Sequence, residues 1–389
     1  MRDDSAAPSN PTLQRQRLPS DSIRLEREDF ADPSPTLQAI HGRGALTNPV
    51  GRFEACARDA YDDGWESLAD DAPSRKTIVT EERGASIISY NESPDVGFDR
   101  SINPYRGCEH GCVYCFARPS HGYLGLSSGL DFESRLFAKV DAPALLDREL
   151  RKKNYRPNTV AVGVNTDCYQ PIERQYQITR QVLQTLVAFG HPFGVITKSN
   201  LVLRDLDVIT EAAQQRLTHV YVSITTLDVE LARKMEPRAP TPERRLDAIA
   251  QLAQAGVTVG VMAAPMVPGL NDGELESILQ AARDAGAVRA GWVLLRLPHE
   301  IKTLFSDWLD VHHPGRADRV RALISDTRGG QAYDNTFGIR MRGVGPYADL
   351  LKQRFLLATQ RLGLNRDQAA LRNDLFRLPP RAGEQLRLL

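Results

Sequence analysis

The chain has 389 residues, of which 41% are hydrophobic and 25% charged, which excludes a coiled coil, a collagen-like fibre and a fully disordered protein. The 49 Lys and Arg residues balance the 49 Asp and Glu residues, so no overall charge points to a nucleic-acid or membrane partner. No apolar run reaches the ~18 residues of a membrane span, and the N-terminus lacks a secretory signal pattern. We therefore expect a cytoplasmic protein with no membrane partner.

Three regions follow one another along the chain. Residues 1–80 are rich in Pro, Ser, Asp and Arg and show little periodicity, which predicts a largely irregular, poorly ordered N-terminal extension. Residues 81–300 are predicted to form the core of the fold. Residues 301–389 break the pattern of the core and are predicted to be a helical region on the substrate side.

Within the core, short β-branched runs alternate with amphipathic helical stretches. Such alternation indicates a parallel sheet with right-handed crossovers. With a first strand placed just before Cys108, about six βα units are expected. The predicted fold class is α/β, a partial (β/α)6 TIM-type barrel, with an open doubly wound sheet as the alternative. The predicted strands are 159–164, 192–197, 219–224, 257–262 and 288–295, and the predicted helices are 177–189, 203–216, 242–255 and 273–285.

Three of the five cysteines, Cys108, Cys112 and Cys115, lie in one segment with three and then two residues between them. Nearby glycines allow the backbone to wrap tightly, so the three thiolates can converge on one soft metal centre. A 4Fe-4S cluster held by three cysteines keeps one iron free to bind another molecule. The alternatives are a zinc site completed by His110 or Cys168, or three unconnected core cysteines.

The cysteine spacing, with Tyr114 just before the last cysteine, resembles the signature of the radical S-adenosylmethionine (radical SAM) superfamily. The resemblance implies that the free iron binds SAM and that the reduced cluster cleaves it to a 5′-deoxyadenosyl radical. It also implies an electron donor such as flavodoxin or ferredoxin. The motif lies at the mouth of the first predicted βα unit, on the face where β/α barrels carry their chemistry.

Residues 103–118 and 121–139 resemble the cluster loop of the spore photoproduct lyase branch and its bacterial relatives. The similarity extends from about Gly42 to Phe355. The lyases that reverse lesions carry a hydrogen-donating cysteine near the end of the second strand. Here Cys168 lies a few residues further on, so it is a candidate hydrogen donor, and a half-buried spare cysteine is the alternative. The resemblance implies SAM contacts from Tyr114, Thr166, Asp167, Lys198, Ser223, Glu236, Val261 and Ala263.

The C-terminal region is basic, because residues 301–389 hold fifteen Lys or Arg and nine Asp or Glu. Between Tyr333 and Phe355, aromatic and arginine residues alternate in a way that suits base stacking and phosphate binding. A helix packed on the barrel with its arginines outward is the alternative. Together with the resemblance, this favours radical chemistry on a nucleic acid or nucleotide, in repair or modification. The other hypotheses are a radical SAM enzyme that modifies peptides or proteins, and a non-enzymatic iron–sulfur sensor.

Overall fold

The computed structural model describes residues 37–53, 76–366 and 369–380. Most of the predicted N-terminal extension therefore lies outside the described residues, and so do residues 381–389 at the end of the C-terminal region. Within the described ranges, ten strands form two sheets. The strands are β1 (Ile78–Glu82), β2 (Ile88–Tyr90), β3 (Arg100–Ile102), β4 (Tyr105–Arg106), β5 (Arg135–Lys139), β6 (Val160–Val162), β7 (Phe193–Thr197), β8 (Thr218–Ser223), β9 (Val259–Met266) and β10 (Arg289–Leu294).

The larger sheet has the order β10-β9-β8-β7-β6-β3-β2. Strands β3, β6, β7, β8, β9 and β10 are parallel, and each pairs with the next one along the chain. Only β2 runs antiparallel, beside β3. Six parallel strands in chain order are the arrangement of a partial barrel, so the predicted fold class is confirmed.

Helices connect the parallel strands, as the alternation predicted. The helix Leu275–Asp284 shows the reason, because Leu275, Ile278, Leu279 and Ala282 recur on one face and are all buried. The predicted helix 203–216 begins instead as the 3-10 helix Asn200–Asp205. The α-helices of the described residues are Leu130–Ser134, Ala142–Leu150, Glu173–Tyr176, Ile178–Ala188, Leu206–Gln214, Val229–Met235, Pro242–Gln254, Leu275–Asp284, Ile301–His312, Ala317–Asp326 and Gly345–Leu362.

A second, three-stranded sheet lies beside the barrel and was not predicted. Its order is β1-β5-β4, with β5 parallel to β1 and antiparallel to β4. Because β4 immediately precedes Gly107 and Cys108, this small sheet fixes the start of the cysteine-bearing loop.

The C-terminal region is helical, as predicted, and it also bridges the open side of the large sheet. Strands β10 and β2 are the two edges of that sheet and do not pair with each other. The Leu294 amide in β10 donates to the Met341 carbonyl at 2.9 Å. Three residues before Met341, the Gly338 amide donates to Asp95, in the loop after β2, at 2.6 Å. Arg340 pairs with the same Asp95 carboxylate.

In the described part of the chain, no helix is both long and apolar enough to cross a membrane.

Candidate functional site

The cysteine-bearing loop follows β3 and lies at the C-terminal ends of the parallel strands. Gly107 has a φ of +73°, and a Cβ atom there would lie 2.7 Å from Leu136, so glycine is required at this turn. The amide of Cys108 donates to the Phe132 carbonyl at 2.9 Å. Gln170 bridges the loop, because its Nε2 donates to the Gly107 carbonyl at 3.1 Å while its Oε1 accepts from the Glu109 amide at 2.9 Å.

A buried ion pair between Arg118 and Glu133 supports the loop from behind. Both side chains are fully buried. Arg118 donates through Nε to the Cys112 carbonyl at 2.9 Å and through Nη2 to the Gly111 carbonyl at 3.2 Å. The backbone of the cysteine motif is therefore held by a cation whose charge is compensated locally.

Residues 37–53, which lie earlier in the chain, also contact the ion pair of Arg118 and Glu133. The Glu133 carboxylate accepts the amides of Gly44 at 3.0 Å and Ala45 at 2.8 Å. A Cβ at position 44 would lie 1.8 Å from the Gly111 carbonyl oxygen. Gly44 therefore allows a backbone approach that no other residue permits.

The three motif cysteines are free thiols. Cys108 and Cys112 are buried and Cys115 is half-buried. Burial raises the pKa of all three, and the nearby Glu236 carboxylate adds to burial in raising the pKa of Cys112 to about 12. Such thiols gain from binding a cationic metal centre, which stabilises the thiolate. Three soft donors on one loop fit an iron–sulfur cluster.

The spacing of ligands also bears on the zinc alternative. Among the described residues, no three His, Cys, Asp or Glu side chains converge closely enough to hold one metal ion together. A mononuclear zinc site needs its ligands around a single ion. The zinc site completed by His110 or Cys168 therefore has no assembled set of ligands among the described residues.

Glu236, directly after the helix Val229–Met235, is the centre of a buried network next to the motif. It forms an ion pair with Arg245 and accepts from the Tyr114 hydroxyl. Thr225 Oγ1 donates to Glu236 Oε1 at 2.6 Å, and Lys198 Nζ lies 3.9 Å from the same oxygen. Burial alone would raise the pKa of Glu236, but Arg245, Lys198 and the hydrogen bonds lower it to about 2. The Glu236 carboxylate is therefore ionised, and the nearby cations balance its charge.

Lys198 lies at the more exposed edge of this network. Its Nζ lies 5.7 Å from the centroid of the Tyr114 ring, within the range of a cation–π contact. Its salt-bridge distance to Glu236 is long, and Glu236 is already neutralised by Arg245. The ammonium group therefore keeps donors for an additional anionic partner.

Asp167 and Thr166 follow β6 and bind the protein itself. Asp167 accepts from Thr197 Oγ1 and from the Lys198 amide, both at 2.7 Å. Burial would raise its pKa, but His110 and these donors lower it to about 2. Thr166 Oγ1 donates to the Tyr105 carbonyl at 2.8 Å. Both residues therefore shape the loops that carry Lys198 and the motif, and direct SAM contact by either stays a prediction.

Cys168, Ser223, Val261 and Ala263 complete the predicted set. Cys168, Val261 and Ala263 are 0% exposed and belong to the main hydrophobic core. The carbonyl of Ser223, the last residue of β8, accepts from Arg245 Nη1 at 3.1 Å. The structure thus brings Cys112, Tyr114, Lys198, Ser223 and Glu236 into one connected site, while the two β9 residues and Cys168 lie in the core beside it.

Two functional elements escaped the sequence reasoning. Arg118 lies three residues after Cys115, and only that proximity could have suggested its role, because its partner Glu133 is 15 residues further on. Thr225 belongs to the same turn as Ser223, and its hydroxyl rather than that of Ser223 contacts Glu236. Neither residue carries a local sequence signal.

All three arginines of the stretch 333–355 bind the protein itself, and Arg340 does so through Asp95. Arg342 donates to the Trp292 carbonyl at 2.6 Å, and Arg354 pairs with Glu276 at 2.6 Å. A different arginine faces the motif: the Arg296 guanidinium, two residues after β10, lies 5.1 Å from the centroid of the Phe116 ring. Phe116 directly follows Cys115 and is 44% exposed.

The parallel barrel with a three-cysteine loop at its C-terminal face defines a class of protein. A family model described as the radical SAM superfamily matches residues 102–282. An uncharacterized protein of Mycobacterium tuberculosis is 41% identical over 228 residues, which are 58% of this chain and 67% of the relative. An uncharacterized protein of Acidianus two-tailed virus is 30% identical over 214 residues, covering 52% and 70%. The chain belongs to the radical SAM superfamily.

The fold resembles one solved member in particular. Spore photoproduct lyase superposes with a TM-score of 0.54 at 15% identity, covering 74% of this chain and 80% of that one. A radical SAM Nalpha-GlyT isomerase of Pseudomonas phage M6 is 25% identical over 172 residues, 43% of this chain and 33% of the relative. The protein is thus a radical SAM enzyme with a fold like that of spore photoproduct lyase, and its superfamily implies an iron–sulfur cluster and SAM.

Proposed function

We propose that this protein binds a 4Fe-4S cluster through Cys108, Cys112 and Cys115 and uses it to cleave SAM. The observation that carries the proposal is the set of three free thiols, buried or half-buried, on one loop at the C-terminal ends of the parallel strands. When bound, such a cluster supplies the electron that splits SAM into methionine and a 5′-deoxyadenosyl radical. The protein's part is to hold the cysteines, orient SAM and keep water from the radical.

Two of the protein's own groups would orient SAM. Lys198 offers its ammonium group to the SAM carboxylate, because Glu236 is already neutralised by Arg245. Tyr114 is locked by its bond to Glu236, so its ring forms a fixed wall. Thr166, Asp167, Ser223, Val261 and Ala263 are proposed to complete the pocket, mostly by shaping the loops and strands around these two groups.

For the substrate we propose a nucleic acid or nucleotide, which the enzyme repairs or modifies. The supporting observation is the pair formed by Phe116 and Arg296 next to Cys115. Arg296 Nε is buried and has no hydrogen-bond partner, whereas Nη1 and Nη2 donate at 3.5 Å to Met341 Sδ and to the Tyr333 hydroxyl. Arg296 makes no ion pair among the described residues. An exposed ring beside a guanidinium that has no carboxylate partner suits a stacked base with a nearby phosphate. Cys168 stays a candidate hydrogen donor within this proposal.

The proposal is tested by anaerobic reconstitution with iron and sulfide. The expected product is a brown protein that forms 5′-deoxyadenosine from SAM and dithionite. Cys112→Ala should lose that activity. The matched control is Cys56→Ala, which removes the one cysteine that is neither in the motif nor Cys168, and it should keep the activity. A colourless zinc protein, or equal activity in the two variants, would contradict the proposal.

The same preparation separates the rival functions. A non-enzymatic iron–sulfur sensor predicts a cluster whose electron paramagnetic resonance spectrum does not change when SAM is added. A peptide- or protein-modifying enzyme predicts no nucleic-acid affinity, whereas the proposed substrate predicts affinity that falls steeply with salt. We further propose a cytoplasmic location and an electron donor of the flavodoxin or ferredoxin type.

A further inference from the structure

A cavity of about 360 Å³ lies at the N-terminal ends of β8, β9 and β10. Thr218 begins β8, Thr258 immediately precedes β9, and Arg289 begins β10. The cysteine loop follows the opposite, C-terminal end of β3, and β3 belongs to the same parallel set. The cavity and the proposed cluster site are therefore at opposite ends of the barrel.

Arginine dominates this cavity, which we call the basic cavity. The described residues that line it include no Asp or Glu. Among the described residues, none of its arginines forms an ion pair. The four arginines are Arg216, Arg283, Arg289 and Arg366.

One carboxylate near the cavity, Asp374, already has an ion-pair partner. Arg216 acts electrostatically on Asp374, but Asp374 is paired with Arg372 at 2.6 Å. The cationic charge of the cavity is thus left without a counter-charge from the described protein.

Arg289 is fixed at the inner wall of the cavity. Its Nη1 lies 3.2 Å from His219 Nδ1 inside the barrel, and its Nη2 donates to the Ala369 carbonyl at 3.5 Å. Its Nε is buried and has no hydrogen-bond partner. A cation held in place with an unused donor is pre-organised for a ligand, because little side-chain entropy is lost on binding.

Helix ends nearby reduce the positive charge but do not cancel it. The helices Leu206–Gln214, Leu275–Asp284 and Gly345–Leu362 all end beside the cavity. Each C-terminus contributes roughly half a negative charge, so the three helix ends together would offset less than half of the positive charge of the four arginines. Threonine hydroxyls at positions 218 and 258 add neutral donors. The net character of the cavity is cationic and rich in donors.

We propose that the basic cavity binds the phosphate groups of a polyanionic ligand, at a site separate from the cluster. Planar guanidinium groups match phosphate oxygens by paired hydrogen bonds. The phosphates could come from a free pyrophosphate-bearing molecule or from the backbone of a nucleic acid held across the barrel.

The test is calorimetric titration of the full, reconstituted protein with pyrophosphate at low salt. Saturable binding at one site per chain is expected. The double variant Arg283→Gln with Arg366→Gln should weaken it at least ~10-fold. Both side chains are exposed, so thermal unfolding should be unchanged. The matched control is Arg319→Gln, which removes one exposed arginine elsewhere and should leave pyrophosphate binding intact.

Competition identifies the source of the phosphates. A short single-stranded oligonucleotide that displaces pyrophosphate assigns the site to a nucleic-acid backbone, and one that does not assigns it to a free ligand. Absent binding, or equal binding by the double variant and the control, would overturn the inference. Cleavage of SAM is not involved in the readout, so either result leaves the proposed function to its own test.

Discussion

At the end of the barrel that carries the cysteine loop, which we call the cluster end after the proposed cluster, Glu133 and Glu236 are buried with cationic partners. At the opposite end, four arginines line a cavity whose described residues include no carboxylate. The first arrangement resists change, because a buried charge that loses its partner is strongly destabilising. The second leaves exposed charge uncompensated, which costs little in water and favours an anionic ligand. Arginines thus stabilise the fold at one end of the barrel and, by our inference, bind a ligand at the other.

The sharpest way to break this contrast is to remove Arg118. Arg118→Met leaves the buried Glu133 carboxylate without its cation and should lower the free energy of unfolding by ~3–5 kcal/mol. The double variant with Glu133→Leu should recover only the part of that loss that is due to the unpaired charge, because the backbone groups bound by Arg118 and Glu133 still lose their partners. Urea denaturation measures both. A loss below ~1 kcal/mol in the single variant would show that the pair is not a buried support.

Acid should weaken the opposite end through His219. Burial, followed by the charge of Arg289, lowers the pKa of His219 from 6.5 to about 4. A histidine kept neutral by the fold contributes its stability fully above pH 6.5 and loses it as the pH falls toward 4. The free energy of unfolding should therefore drop by roughly 2–3 kcal/mol over that range. His219→Gln should abolish this part of the drop, and an identical pH dependence in the variant would contradict the assignment.

Within the cluster end, Lys198 and Arg245 should separate binding from stability. Lys198→Met leaves Glu236 paired with Arg245 and should cost less than ~1 kcal/mol of stability, yet weaken SAM binding ~10-fold or more through the lost charge. Arg245→Met should instead destabilise the fold. Equilibrium dialysis with SAM and urea denaturation on the same reconstituted samples make the comparison. Unchanged SAM affinity in Lys198→Met would remove the proposed carboxylate contact.

The smallest effect is expected from Arg366→Gln at the basic cavity. Its side chain is exposed and makes no ion pair among the described residues, so the free energy of unfolding should stay within ~0.5 kcal/mol of the parent. Denaturation at low and high salt checks this. If Arg366→Gln lowered the free energy of unfolding as much as Arg118→Met does, the proposed contrast between the two ends of the barrel would be wrong.

Periodicity and motif spacing were enough to predict the barrel and the cysteine loop. Five of the six parallel strands are short, mainly apolar runs such as β7, and the helices repeat apolar residues at regular intervals. The first parallel strand, β3, reads Arg-Ser-Ile, so only its place before the cysteine motif indicated it. The small sheet was not predicted because β4 has two residues and β1 reads Ile-Val-Thr-Glu-Glu, in which three of the five residues are polar. Such segments become strands through their partners rather than through their own pattern.

The partners of charged residues were harder to predict than the residues themselves. Lys198 and Glu236 were expected in the site, but Arg245 was not assigned to Glu236, and Arg118 was not assigned at all. The arginines of the basic cavity come from separate elements between positions 216 and 366. Their proximity arises only when the strands and helices assemble, so no local pattern signals it.

The bridge between Asp95 and the segment 338–341 bears on how a long substrate would reach the site. The two sheet edges are joined there by side chains and isolated amides instead of a strand ladder. A polymer such as a nucleic acid cannot pass lengthwise through a closed barrel at an internal position, because it has no free end there. The bridge is held at Asp95 and Ser93 on the β2 side and by the Leu294 amide and the Trp292 carbonyl on the β10 side, so no paired strand would have to separate for the two edges to move apart.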